Sequence, residues 1–126
     1  MRLAVILLVI LFSTPTALAQ TRNAIPGKPL ILYRTASANP DCTSAGEVVI
    51  RVTEAPRYGR VSISRSGVFL NFPASNPRSV CNHRRIPGTV ATYVAQRGYA
   101  GPDSLSLEAI YPTGELRQGS FQIMVR

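Results

Sequence analysis

Two cysteines, one histidine and a group of arginines are the residues of this chain whose types could do chemistry, and all three kinds meet in one stretch. Residues 73–88 carry Arg78, Cys81, His83, Arg84 and Arg85. Arginine forks match phosphate and carboxylate geometry, so this stretch is a candidate anion or partner site. Cys42 and Cys81 are the only cysteines, and an even count in an exported chain reads as a disulfide. A bridge closing the 38 residues between them is worth roughly 4 kcal/mol on chain-entropy grounds. A metal site finds too few ligands, because His83 is the sole histidine and no C-x-x-C or H-x-E spacing occurs. A redox pair would need the cysteines closer in a dedicated motif.

Catalysis finds little support. His83 sits among arginines that would lower its basicity, and both cysteines are expected to be bridged. The six acids form no cluster suited to glycoside hydrolysis. Asp103 invites a calcium reading with Asp41, Glu47 and Glu54, which would require several oxygens converging at about 2.3–2.6 Å. The expectation is a chain that is not an enzyme and takes no cofactor and no metal.

The compartment follows from residues 1–19. Arg2 supplies a positive start, residues 3–12 an unbroken apolar run, and Ala17-Leu18-Ala19 a small-residue cleavage site, which together read as a signal peptide. A membrane anchor is the rival, but ten apolar residues interrupted by Ser13, Thr14 and Pro15 fall short of a bilayer core of about 30 Å. No cysteine follows the cleavage site to carry a lipid. The expected location is therefore periplasmic or secreted, with no membrane span after cleavage. Of 126 residues, 107 remain as one domain, 20–126. Loss of Arg2 takes the net charge from +8 to +7, almost all of it arginine. Such a field favours anionic partners: an acidic protein, lipopolysaccharide or acidic glycan. Nucleic acid is the poorer candidate, since export removes it from reach and no aromatic-basic stacking pattern is present.

The elements that must position these groups are strands. Short alternating apolar runs separated by Gly, Pro and Asn occur at 30–33, 47–53, 60–64, 68–72, 90–94, 104–110 and 120–125. On this pattern Val48, Ile50 and Val52 share an inward face, as do Val61 and Ile63, then Val68, Leu70 and Phe72 after a turn at Ser66-Gly67. Leu105, Leu107 and Ala109 form another such face, and Phe121, Ile123 and Val125 the last. Seven short strands in about 100 residues predict an all-β, antiparallel, immunoglobulin-like sandwich, with a closed barrel as the alternative.

Two segments carry a resemblance. Residues 56–63, Pro-Arg-Tyr-Gly-Arg-Val-Ser-Ile, resemble the P-x-x-G-x-V-x-I hairpin of bacterial immunoglobulin-like, cadherin-like repeat domains. Residues 93–105 are similar to their Y-x-P-x-x-G-[YF]-x-G-x-D-S-F segment, with Ala95 in place of proline and Leu105 in place of phenylalanine. Gly114 before the last strand matches their final hairpin. The resemblance spans most of 46–126 and implies a sandwich used for interaction or as a spacer, here in a single copy. It makes Gly59, Gly98, Tyr99, Gly101 and Asp103 turn-building residues: glycines where φ is positive, a ring tucked under the corner, and a carboxylate accepting backbone N–H bonds. It leaves residues 73–88 unexplained as an insertion, where long loops commonly hold recognition. The chain is thus expected to be a non-catalytic module binding an envelope or extracellular protein. The alternatives are an anion-binding domain working through residues 73–88, or a hydrolase inhibitor.

Overall fold

The computed structural model describes residues 20–126; the expected signal peptide, 1–19, lies outside the described residues. Seven strands and one 3-10 helix follow in order: β1 (Gln20–Ala24), β2 (Leu30–Thr35), β3 (Val49–Glu54), β4 (Gly59–Val68), η1 (Pro77–His83), β5 (Ile86–Ala95), β6 (Gly101–Ile110) and β7 (Leu116–Val125). They form two packed sheets of order β1-β7-β6-β3 and β2-β5-β4, as in an immunoglobulin-like sandwich whose first strand lies with the β7-β6-β3 sheet instead of beside β2.

The alternation read from the sequence places the core. Leu105, Leu107 and Ala109 from β6 and Phe121, Ile123 and Val125 from β7 are buried against Leu32, Ala91, Tyr93 and Ala95 of the other sheet. One side of each strand is thereby apolar and the other faces water. A second, smaller cluster of Ala36, Ala38, Val68 and Ile86, flanked by Leu70 and Cys42, closes one end of the sandwich.

Several expectations are corrected. β1 pairs with β7 in parallel, Gln20 opposite Phe121 through Ala24 opposite Val125, so the sandwich is not wholly antiparallel. Its sequence, Gln-Thr-Arg-Asn-Ala, has no alternation to betray it; the pairing comes from β7. Residues 68–72 are not a separate strand. β4 runs unbroken through Ser66 and Gly67, which sit opposite Gly88 and Pro87 of β5, while Leu70 and Phe72 belong to the loop that follows. Val52 and Ile63 lie on the inward face but are substantially exposed rather than buried. Both lie on marginal strands, where the facing sheet no longer covers them, and a bulge at Val52/Glu54 turns the end of β3 away.

Candidate functional site

Residues 69–85 form an ordered projection at the closed end of the sandwich. Its helix starts at a cap: Asn76 accepts from Arg78 N, and Pro77 occupies the first turn, where its missing N–H is no loss. Asn82 then clamps the incoming loop, accepting from Phe72 N at 2.8 Å and donating to Phe72 O at 3.0 Å. Cys81 is fully buried and bonded to Cys42, with Cα atoms 5.2 Å apart. The bridge joins the β2–β3 and β4–β5 connections.

The opposite arm of the bridge is itself a tight turn. Asn39 N donates to Thr43 O and Cys42 N to Asn39 O, and Cys42 takes a φ of 68°, a left-handed conformation that disfavours a side chain. Asp41 accepts from the hydroxyl and amide of Thr43. The Thr43 hydroxyl chiefly, then its amide, hold the Asp41 carboxyl below its ordinary value, with a smaller contribution from Arg84. A further strut is Arg78, whose Nε donates to Ala38 O at 2.9 Å.

The arginine group of the sequence is therefore dispersed. Arg78 is half-buried and structural. Arg85 lies over the Phe69 ring, 5.7 Å from its centroid. His83 and Arg84 are exposed at the end of η1, with Arg84 N donating to Cys81 O. Two apolar side chains of the projection face solvent: Val80 on η1 is 64% exposed and Phe69, just past β4, 54%. Sequence reading passed over both, since a lone Val or Phe carries no motif.

Gly98 and Gly101 have φ of 84° and 134°, Tyr99 donates to Pro102 O, and its ring stacks on Tyr58 at 4.0 Å. Gly59 differs in its reason. It opens β4, where a Cβ would lie 2.5 Å from the Tyr93 ring. Asp103 is buried and accepts from Arg57 N, Tyr58 N, Ser104 N and the Tyr93 hydroxyl. The four carboxylates of the calcium reading do not converge: Glu47 pairs with Arg65, Glu54 accepts from Ser106, and among the described residues no group of three acid, His or Cys side chains is set to hold a metal.

A polar cluster unseen in the sequence lies beside the start of the projection, where Thr35, Tyr111 and Arg117 line one cavity with Leu70, Phe72 and Asn76. Tyr111 Oη is 2.9 Å from Tyr33 Oη and 2.7 Å from Thr35 Oγ1, with Arg117 over the Tyr111 ring. Beside it a groove of about 340 Å³ is lined by Leu32, Tyr33, Leu107, Phe121, Arg22 and Arg117. Its residues come from β1, β2, β6 and β7, and no local pattern could have assembled them.

No protein-family model matches the chain, and no curated protein matches it. Among solved structures it is similar to the solution structure of Amebosin, at 14% identity and a TM-score of 0.43, over 84% of this chain and 88% of that one. No described helix is long and apolar enough to cross a membrane.

Proposed function

We propose that the chain is a periplasmic or secreted, non-catalytic interaction module that binds another envelope or extracellular protein through the disulfide-pinned projection. The observation that carries this reading is a solvent-exposed apolar side chain, Val80, on a loop fixed by the Cys42–Cys81 bridge, the Asn82 clamp and the Arg78 strut. Loop ordering is a large cost of association, and a loop held in advance avoids it. An exposed apolar side chain on a bridge-tethered loop suits a protein surface, including the active-site cleft of a hydrolase, better than it suits a glycan. The disulfide is compatible with an oxidising compartment. Resemblance to cadherin-like repeats supports the same class of role.

Anion binding through Arg78, His83, Arg84 and Arg85 is the weaker reading, because Arg78 is engaged with Ala38 O. Photo-crosslinking from position 80 in an envelope fraction tests the choice. The expected result is one protein adduct that survives high salt and is lost in Phe69→Glu. Capture of an acidic glycan or lipid that disappears with salt and with Arg84→Ala/Arg85→Ala would overturn the protein reading.

A further inference from the structure

Four strands border the two sheets: β1, β3, β2 and β4. Three are short, at five or six residues, and two of these are interrupted, β2 at Ile31/Tyr33 and β3 at Val52/Glu54. Shortness and bulges are how sheets blunt edges that would otherwise recruit another strand. β4 has neither. It runs for ten residues without proline and keeps one register against β5 from Gly59 opposite Ala95 to Val68 opposite Ile86. Its other edge has no strand partner among the described residues.

We infer that this β4 edge accepts an extended, acidic segment of the partner protein as an added strand. The inference rests on the interaction-module reading and names how the partner is held. Side chains along β4 alternate. Val61 and Ile63 lie opposite the buried Tyr93 and Ala91 and so point toward the facing sheet, yet Ile63 remains 40% exposed and Val52 across the margin 38%. An added strand would cover both with its own inward residues.

Charge selects the occupant. Arg57 and Arg60 stand at the start of β4, Arg65 and Arg85 near its end, and Arg85 lies over the exposed Phe69 just past the strand. Of the carboxylates, Glu47 alone is ion-paired to β4, through Arg65, and that pair is more than half exposed on both sides; such a pair contributes little and exchanges readily. Edge cations act against pairing between two copies, since antiparallel β4 strands would bring like charges together in a chain of net charge +8. The same cations favour an anionic strand, so one feature excludes the wrong partner and attracts the right one. Val68 leads directly into the projection that carries Val80.

The test is titration of the exported, oxidised, 15N-labelled protein with a ten-residue peptide alternating Val/Thr with Glu, its ends blocked. Amide shifts along residues 60–66 and at Val52, weakened at least tenfold by Ile63→Lys and by Arg60→Glu/Arg85→Glu, are expected. Both variants change exposed side chains, so folding is checked by unchanged shifts in β6 and β7. Any of three results would overturn the inference: no response at β4, an equal response to a peptide of the same composition with two residues replaced by proline, or concentration-dependent β4 shifts without peptide, which would make the occupant a second copy. If β4 fails but position 80 still crosslinks to a protein in Ile63→Lys, the edge proposal falls and the interaction module stands; if neither responds, both fall.

Discussion

The Tyr93 hydroxyl donates to Asp103 Oδ2 at 2.7 Å in the buried layer between the sheets, fastening β5 of one sheet to β6 of the other. The same carboxylate receives the Arg57, Tyr58 and Ser104 amides, so the chain segment that enters β4 is tied to β6 as well. A carboxylate with four donors cannot be replaced by an amide without setting an NH₂ against a backbone N–H, whichever way it is turned. Asp103→Asn is therefore expected to cost about 2–3 kcal/mol. Tyr93→Phe leaves three donors in place and costs about 1.5 kcal/mol. Urea unfolding of the two variants checks the order; a Tyr93→Phe loss exceeding that of Asp103→Asn would contradict it.

The same geometry sets an acid limb. Burial opposes ionisation of Asp103, but the Tyr93 hydroxyl and the three amides outweigh it and hold the carboxyl below its ordinary 3.8. With the folded value depressed, the unfolded chain takes up the proton first as pH falls. The stability Asp103 lends is complete above 3.8 and is lost progressively below it. Unfolding free energies of the parent and Asp103→Asn, measured from pH 6 downward, are expected to converge as the pH drops through this range. A constant gap would show that ionised Asp103 is not the source.

Two glycines of the resemblance motif should respond to alanine for different reasons. At Gly59 an added methyl meets the Tyr93 ring at 2.5 Å and Val94 O at 2.7 Å, an overpacking that costs about 3 kcal/mol and disturbs the Tyr93–Asp103 bond. Gly98 has open space around it but a φ of 84°, so alanine there costs only about 1–2 kcal/mol, and asparagine less. Thermal unfolding separates them: a shift of several degrees is expected per kcal/mol in a domain of this size. Equal losses would place Gly59 away from the ring.

Sequence reading reached those features whose cause is local or periodic. Leu105, Leu107 and Ala109, or Phe121, Ile123 and Val125, alternate because one face of each strand is buried. It failed where the cause is a neighbour distant in sequence. Ser66-Gly67 has turn composition, but Gly88 and Pro87 opposite them keep β4 extended. β1 has a polar sequence and exists by pairing with β7. Ile63 has a core pattern and an exposed position, because alternation reports a side chain's face and not whether the facing sheet reaches that far. Arg78 reads as a free cation in sequence and is held by Ala38 O, forty residues earlier.

The last prediction concerns what the disulfide does for the projection. Cys42 and Cys81 are 39 apart in sequence, and β3 and β4 lie between them, so reduction releases a loop whose closure is worth about 4 kcal/mol. The 39–43 turn, however, has hydrogen bonds of its own from Asn39, Cys42 and Thr43 and should keep its shape without the bridge. Position 42 would then still require the left-handed φ of 68°. Cys42→Ala/Cys81→Ala is expected to lose about 2–4 kcal/mol, and Cys42→Gly/Cys81→Ala to recover on the order of 0.5–1 kcal/mol of it, because glycine meets that conformation without a Cβ penalty. Chemical denaturation of both double variants provides the comparison. If the glycine version is the less stable of the two, the turn has relaxed and the bridge, rather than the local hydrogen bonds, is what shapes the base of the Val80 projection.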